Sequence, residues 1–189
     1  MTCFTVERID ENARTVDLLM CGNGRWGGLG NHLFSSAQGN PLRAKGVSGL
    51  LECESSKSWY LNGAVKAAHI MADSEKDNSL QPIVPYSISI SPTGHVLLTL
   101  DTHKRSGSGG GGRDLFVWGA NQQYELGNGK RTSQAAPIAL EHADGSRVML
   151  MKTRADVKDM QGKSWKNGVN VEQYAQAGYG NTIVYWKIC

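Results

Sequence analysis

The chain has 189 residues, of which 40% are hydrophobic, and carries 23 glycines and a formal net charge of +3 at pH 7. That apolar content suffices for a core, whereas its Lys and Arg are scattered rather than blocked, so charge gives no argument for a nucleic-acid partner. No apolar run approaches the roughly 20 residues that cross a bilayer as a helix, and the acidic Glu7, Asp10 and Glu11 make residues 1–12 a poor signal or transit peptide, so any targeting signal is expected upstream of Met1.

In chain order, Thr2-Cys3-Phe4-Thr5-Val6 is β-branched and aromatic, which predicts a strand. Asp17-Leu18-Leu19-Met20-Cys21-Gly22 reads as a second strand halted by a glycine. Leu29-Gly30-Asn31 and then Pro41 follow it. Residues 63–72 fit a short helix or another strand, because their periodicity does not arbitrate. Gly94 to Leu100 repeats the first strand type, with His95 at its start. Ser106 to Gly112 is a Ser/Gly tract expected to be a flexible loop at a blade corner, either low-complexity or engineered. Asp114-Leu115-Phe116-Val117-Trp118-Gly119 repeats the glycine-halted strand, with Leu126-Gly127-Asn128 and Pro137 at matching offsets. The Gly-to-Pro intervals are 19 residues in the first copy and 18 in the second, so the register persists through differing sequence. Arg147 to Lys166 is expected to be a basic insertion loop. Gly178 to Trp186 is a third strand of the first type.

Strand modules thus alternate with glycine modules, and no strong helix pattern separates them. That order predicts an all-β fold by radial repetition, a partial β-propeller of about two blades plus part of a third; sandwich and barrel are the alternatives. The expected division is residues 1–15 as the end of a preceding repeat, 16–105 as a repeat with an insertion, 106–113 as the Gly-rich loop, and 114–189 as a further repeat with an insertion.

Several motifs are set aside on context. Gly22, Gly24 and Gly27 match G-x-G-x-x-G, but glycines at 27, 28 and 30 disfavour the helix that would hold a pyrophosphate, so turn punctuation is expected. The tract before Arg113 lacks the Gly-Lys-Ser/Thr ending of a phosphate loop. The five histidines lack metal-ligand spacing, and His95 is expected to be a structural strand-end residue. No nucleophile elbow or triad is present. Cys3, Cys21, Cys53 and Cys189 show no C-x-x-C pattern and are expected as buried thiols. Trp118 and Trp186 are expected in blade cores, while Trp165, Tyr179 and Tyr185 are candidate binding anchors. Lys152, Arg154, Lys158, Lys163, Trp165 and Lys166 form the candidate partner-binding loop. Neither cofactor nor catalysis is expected.

Trp118-Gly119-Ala120-Asn121, Leu126-Gly127-Asn128-Gly129 and Pro137 resemble the repeat of the regulator of chromosome condensation family. In the first copy Gly22, Leu29, Gly30 and Pro41 match, while Cys21 replaces the tryptophan and His32 the last glycine. The resemblance implies a seven-bladed parent, of which this chain would be a C-terminal fragment or the product of a truncated gene. Leu98 to Thr102, Tyr124 to Arg131 and the long insertions are most similar to fungal mitochondrial members concerned with cytochrome bc1 complex assembly. That likeness implies a non-catalytic scaffold at the inner membrane or in the matrix. Its expected partners are proteins, respiratory-complex subunits or assembly factors, with peripheral membrane contact and no nucleic acid. The alternatives are a nuclear or cytosolic exchange factor for a Ran-type GTPase, and a propeller that binds a carbohydrate or small ligand.

Overall fold

The computed structural model describes residues 1–10, 13–53, 59–61, 64–65, 80–101, 112–164 and 168–189. Among them are only strands, turns and connections. Three strands open the chain: β1 (Thr2–Asp10), β2 (Ala13–Gly24) and β3 (Ser35–Arg43), paired antiparallel in that order. Four short strands follow, β4 (Leu50–Cys53), β5 (Trp59–Leu61), β6 (Ala64–Val65) and β7 (Leu80–Pro82), in the order β6-β5-β4-β7. The last seven are β8 (Pro85–Ile90), β9 (His95–Leu100), β10 (Gly112–Gly119), β11 (Gln134–Ala139), β12 (Met149–Ala155), β13 (Val169–Ala177) and β14 (Thr182–Ile188). They form one sheet in the order β14-β13-β12-β10-β9-β8, with β11 also on β10.

This large sheet curls. β10 splits its pairing, giving residues 112–114 to β12 and residues 116–119 to β11, with a register shift between Val117 and Gly119. β13 thereby swings back over β8: the Ala177 N–H donates to Ser89 Oγ at 2.9 Å, and Ser91 Oγ donates to the Gly178 carbonyl at 2.8 Å. The result is a half-barrel beside a three-stranded sheet, consistent with the partial β-propeller expected from the repeat.

Strand alternation distributes the core. Val96, Leu98 and Leu100 of β9, with Phe116 and Trp118 of β10, face Leu18, Met20 and Leu29 of the first unit. Leu97, Leu115 and Val117 face the other way, toward Leu126, Leu150 and Ala175. β9 is therefore buried on both faces along its whole length, as its near-continuous apolar sequence requires.

Three expectations change. The stretch 147–166 is not one loop, because β12 takes 149–155 into the sheet. Trp186 is not in a core: among the described residues β14 pairs with β13 alone, and Trp186 is left about half exposed. Cys3, Cys21 and Cys189 are free thiols but none is fully buried, since the first two lie on strands near an open face and Cys189 is exposed. Burial still pushes the Cys3 thiol up to about 11. Of the 63–72 stretch only Ala64 and Val65 are described, as β6, and of the Ser/Gly tract only Gly112, as the start of β10; the remainder lies outside the described residues, as do Trp165 and Lys166.

Gly119 combines φ 97° with a backbone so close that an added Cβ would sit 2.1 Å from the Gly94 carbonyl oxygen. Gly129, at φ 70°, has open space around it. Gly119→Ala is therefore expected to lose about 3 kcal/mol or more, and Gly129→Ala only about 1 kcal/mol. Urea midpoints of the two variants check this; equal losses would refute the close-packing account.

Candidate functional site

The two glycine modules superpose in backbone conformation as well as in sequence offset. Gly22 and Gly119, Gly27 and Tyr124, Gly30 and Gly127, and His32 and Gly129 occupy matching positions, and all eight have positive φ. Gly22, Gly24 and Gly27 thus belong to a strand end and a turn, with no helix opening behind them.

Asn121 organises the second turn. Its Oδ1 accepts the Leu126 N–H at 3.0 Å, while its Nδ2 donates to Asn128 Oδ1 at 2.9 Å and to the Lys130 carbonyl at 2.6 Å. Asn128 Oδ1 also accepts the Lys130 N–H at 3.1 Å, as Asn31 Oδ1 accepts that of Leu33 in the first turn. The side chain of Asn121 replaces backbone pairing that a loop of this shape cannot make for itself.

The remaining signature residues join one repeat to the next. Trp118, fully buried, donates its indole N–H to the Gly28 carbonyl at 2.8 Å, and the His32 N–H donates to the Ala135 carbonyl at 2.8 Å. A Cβ on Gly30 would meet Trp118 Nε1 at 3.1 Å and Pro137 at 3.3 Å. The second turn is tied on in the same sense, Thr182 Oγ1 donating to the Glu125 carbonyl at 2.6 Å. His95, also buried, sits with its ring nitrogens 3.4 Å from the Thr93 and Thr182 hydroxyls. Leu29 and Leu126 fill the two cores, whereas Pro41 is exposed on β3.

Charge is buried at corresponding places. Asp17 accepts from Arg8 at 2.9 Å and Arg43 at 2.5 Å, and its counterpart Asp114 lies 2.8 Å from Arg147. A further cluster, invisible in the sequence, joins Arg113 to Glu172. The guanidinium meets the Glu172 carboxylate and stacks 3.5 Å from the centroid of Tyr86, whose hydroxyl pairs with that of Tyr174 at 2.7 Å. Burial pushes the Glu172 carboxyl up, but the Tyr86 hydroxyl, Arg113, Cys189 and Lys152 together hold it below the usual carboxylate range. The hydrogen bond with Tyr174, assisted by burial, raises the Tyr86 phenol. Among the described residues no three His, Cys, Asp or Glu converge to hold a metal ion.

The candidate basic residues separate. Lys152 lies on β12 and reaches to 3.9 Å from Glu172, and Arg154 lies on the same strand beside Gly168. Lys158 and Lys163 stand exposed at the hairpin tip, where Asp159 Oδ1 accepts the N–H groups of Gln161 and Lys163. Met160 between them is fully exposed. Tyr179 is largely exposed and Tyr185 partly so.

Against known families, one stretch decides the comparison. Residues 114–152 match the family described as Regulator of chromosome condensation (RCC1) repeat. The match runs from Asp114 of β10 through the second turn and β11 to Lys152 of β12, so it contains Trp118, Asn121, Gly127 and Pro137. The first copy lies outside it, although its turn has positive φ at the same four positions; Cys21 and His32 stand there where the second copy has Trp118 and Gly129. No curated protein and no solved structure matches the chain.

Trp118→Phe removes the indole N–H together with its five-membered ring, so the unpaired Gly28 carbonyl and the void left in a fully buried site are together expected to cost about 2–4 kcal/mol by chemical denaturation. A second expectation concerns pH. Burial lowers the His95 imidazole from its ordinary 6.5, against the pull of Glu125. The unfolded chain therefore binds the extra proton first, so stability held above pH 6.5 is lost as pH falls below that value. His95→Gln should flatten this part of the Tm curve; an unchanged slope would assign it to another group.

Proposed function

We propose that the chain is a non-catalytic propeller-type scaffold that binds other proteins through its loops. The observation that carries this reading is the Trp118–Gly28 hydrogen bond. The signature residues are spent on joining repeats, which leaves the variable turns and the β12–β13 hairpin to carry specificity on a rigid frame. Lys158 and Lys163 at the hairpin tip are the partner-facing charges in this reading.

The finer proposal is a mitochondrial factor supporting assembly of the cytochrome bc1 complex at the inner membrane or in the matrix. It is supported by the resemblance of Leu98 to Thr102 and Tyr124 to Arg131. Disruption of the gene is expected to lower mature bc1 complex on a native gel, and normal levels would remove the assembly role. A second reading, favoured by the match of residues 114–152, is nucleotide exchange on a Ran-type GTPase. The protein is expected to leave nucleotide release from such a GTPase unchanged; clear acceleration would reverse the ranking.

A further inference from the structure

Each repeated turn presents an aromatic ring capped by an arginine. Arg25 lies over Trp26 at 5.5 Å and Arg131 over Tyr124 at 5.7 Å. The repeat does not account for these pairs, since Trp26 corresponds to Gln123, and Tyr124 to Gly27. Tyr124 is set apart further by its backbone: at φ 63° it holds a bulky side chain in the left-handed region that the first turn gives to glycine. Its ring is 55% exposed, so packing within the chain does not offset that strain.

A cavity of about 620 Å³ adjoins this turn, lined by Asn128, Lys130, Gln134, Ile138, Glu141 and His142 among others. In the first turn the Lys45 N–H donates to the Gly30 carbonyl at 2.8 Å and draws the chain together. At the second turn the chain leaves instead into a short hairpin, Glu141 bridging Arg147, and the space stays open. Arg25, Lys130 and Arg131 have no carboxylate partner among the described residues.

We infer that the second turn is a docking site for an acidic, extended segment of a partner protein. A carboxylate of that segment enters the cavity toward the Lys130 ammonium, and its neighbouring backbone lies against Tyr124 and Arg131. The class of partner rests on the scaffold reading. Glu141 in the cavity wall opposes a row of phosphates more than a single carboxylate, and exposed Tyr, Trp and Arg are the residues that dominate protein interfaces.

The test titrates the full chain, by fluorescence anisotropy at low salt, into a fluorescein-labelled decapeptide of alternating Glu and Ala. Saturable binding is expected. Lys130→Glu and Tyr124→Gly should each weaken it about tenfold, while Lys45→Glu, the same charge change at an exposed lysine outside both the second turn and the hairpin tip, leaves it within about twofold. Tyr124→Gly should also keep or raise the Tm, because it relieves strain. No saturable binding, equal weakening by Lys45→Glu, or a lowered Tm in Tyr124→Gly would each overturn the site. Loss confined to Lys158→Glu would move the partner to the hairpin and leave the scaffold reading standing. Stronger displacement of the peptide by a 12-mer of oligothymidylate than by unlabelled peptide would remove both.

Discussion

The hydrogen bond from the Trp118 indole to the Gly28 carbonyl depends on a backbone that no side chain obstructs. Gly27 lies so near Ala135 that an added Cβ would stand 2.5 Å from its Cα, and Gly30 lies against Trp118 and Pro137. The first turn is thus pressed onto β10 and β11 of the next repeat, and the apolar faces of β2 and β9 meet only because of that approach. Left-handed φ values, a buried donor and a proline edge serve one purpose, holding successive units at a fixed separation.

This arrangement explains why buried charge is tolerable. Asp17 and Asp114 recur at the same point of their strands and each meets arginine, so their charge is neutralised within the unit. Arg113 and Glu172 do the same between strands 59 residues apart, with a tyrosine ring over the guanidinium. Such pairs add little net stability, but removing one partner leaves a charge stranded. They fix which strands can neighbour one another when the sheet curls.

The repeat was legible in the sequence because glycines that the turns require, with a Leu-Gly-Asn triplet and a proline, recur at nearly equal intervals. What the sequence concealed follows from the same logic. His32 and Tyr124 adopt the left-handed conformation without being glycines, so the match of the two turns at these two positions is visible only in the backbone. The charged alternation of Lys152 and Arg154 looked like a loop, yet it is the period-two pattern of a half-exposed strand. The Arg113–Glu172 pair has no local signal, being created by curling. Trp186 shows the limit of reading apolar strands: the pattern of β14 suits a central position, and composition cannot reveal that the strand lies at an edge.

That edge has a bearing on handling. Ile183, Val184, Tyr185, Trp186 and Ile188 leave β14 apolar on both faces, and among the described residues it pairs along one side, with β13. Lys187 is the sole charge on the strand, and it lies 5.1 Å from the Tyr174 ring centroid, drawn in toward its neighbour. A lone gatekeeper so placed does little to prevent like strands from adding to one another. At high concentration this strand therefore offers copies of the protein a place to add to one another, as does the outer strand β1 with its exposed Phe4, Val6 and Ile9.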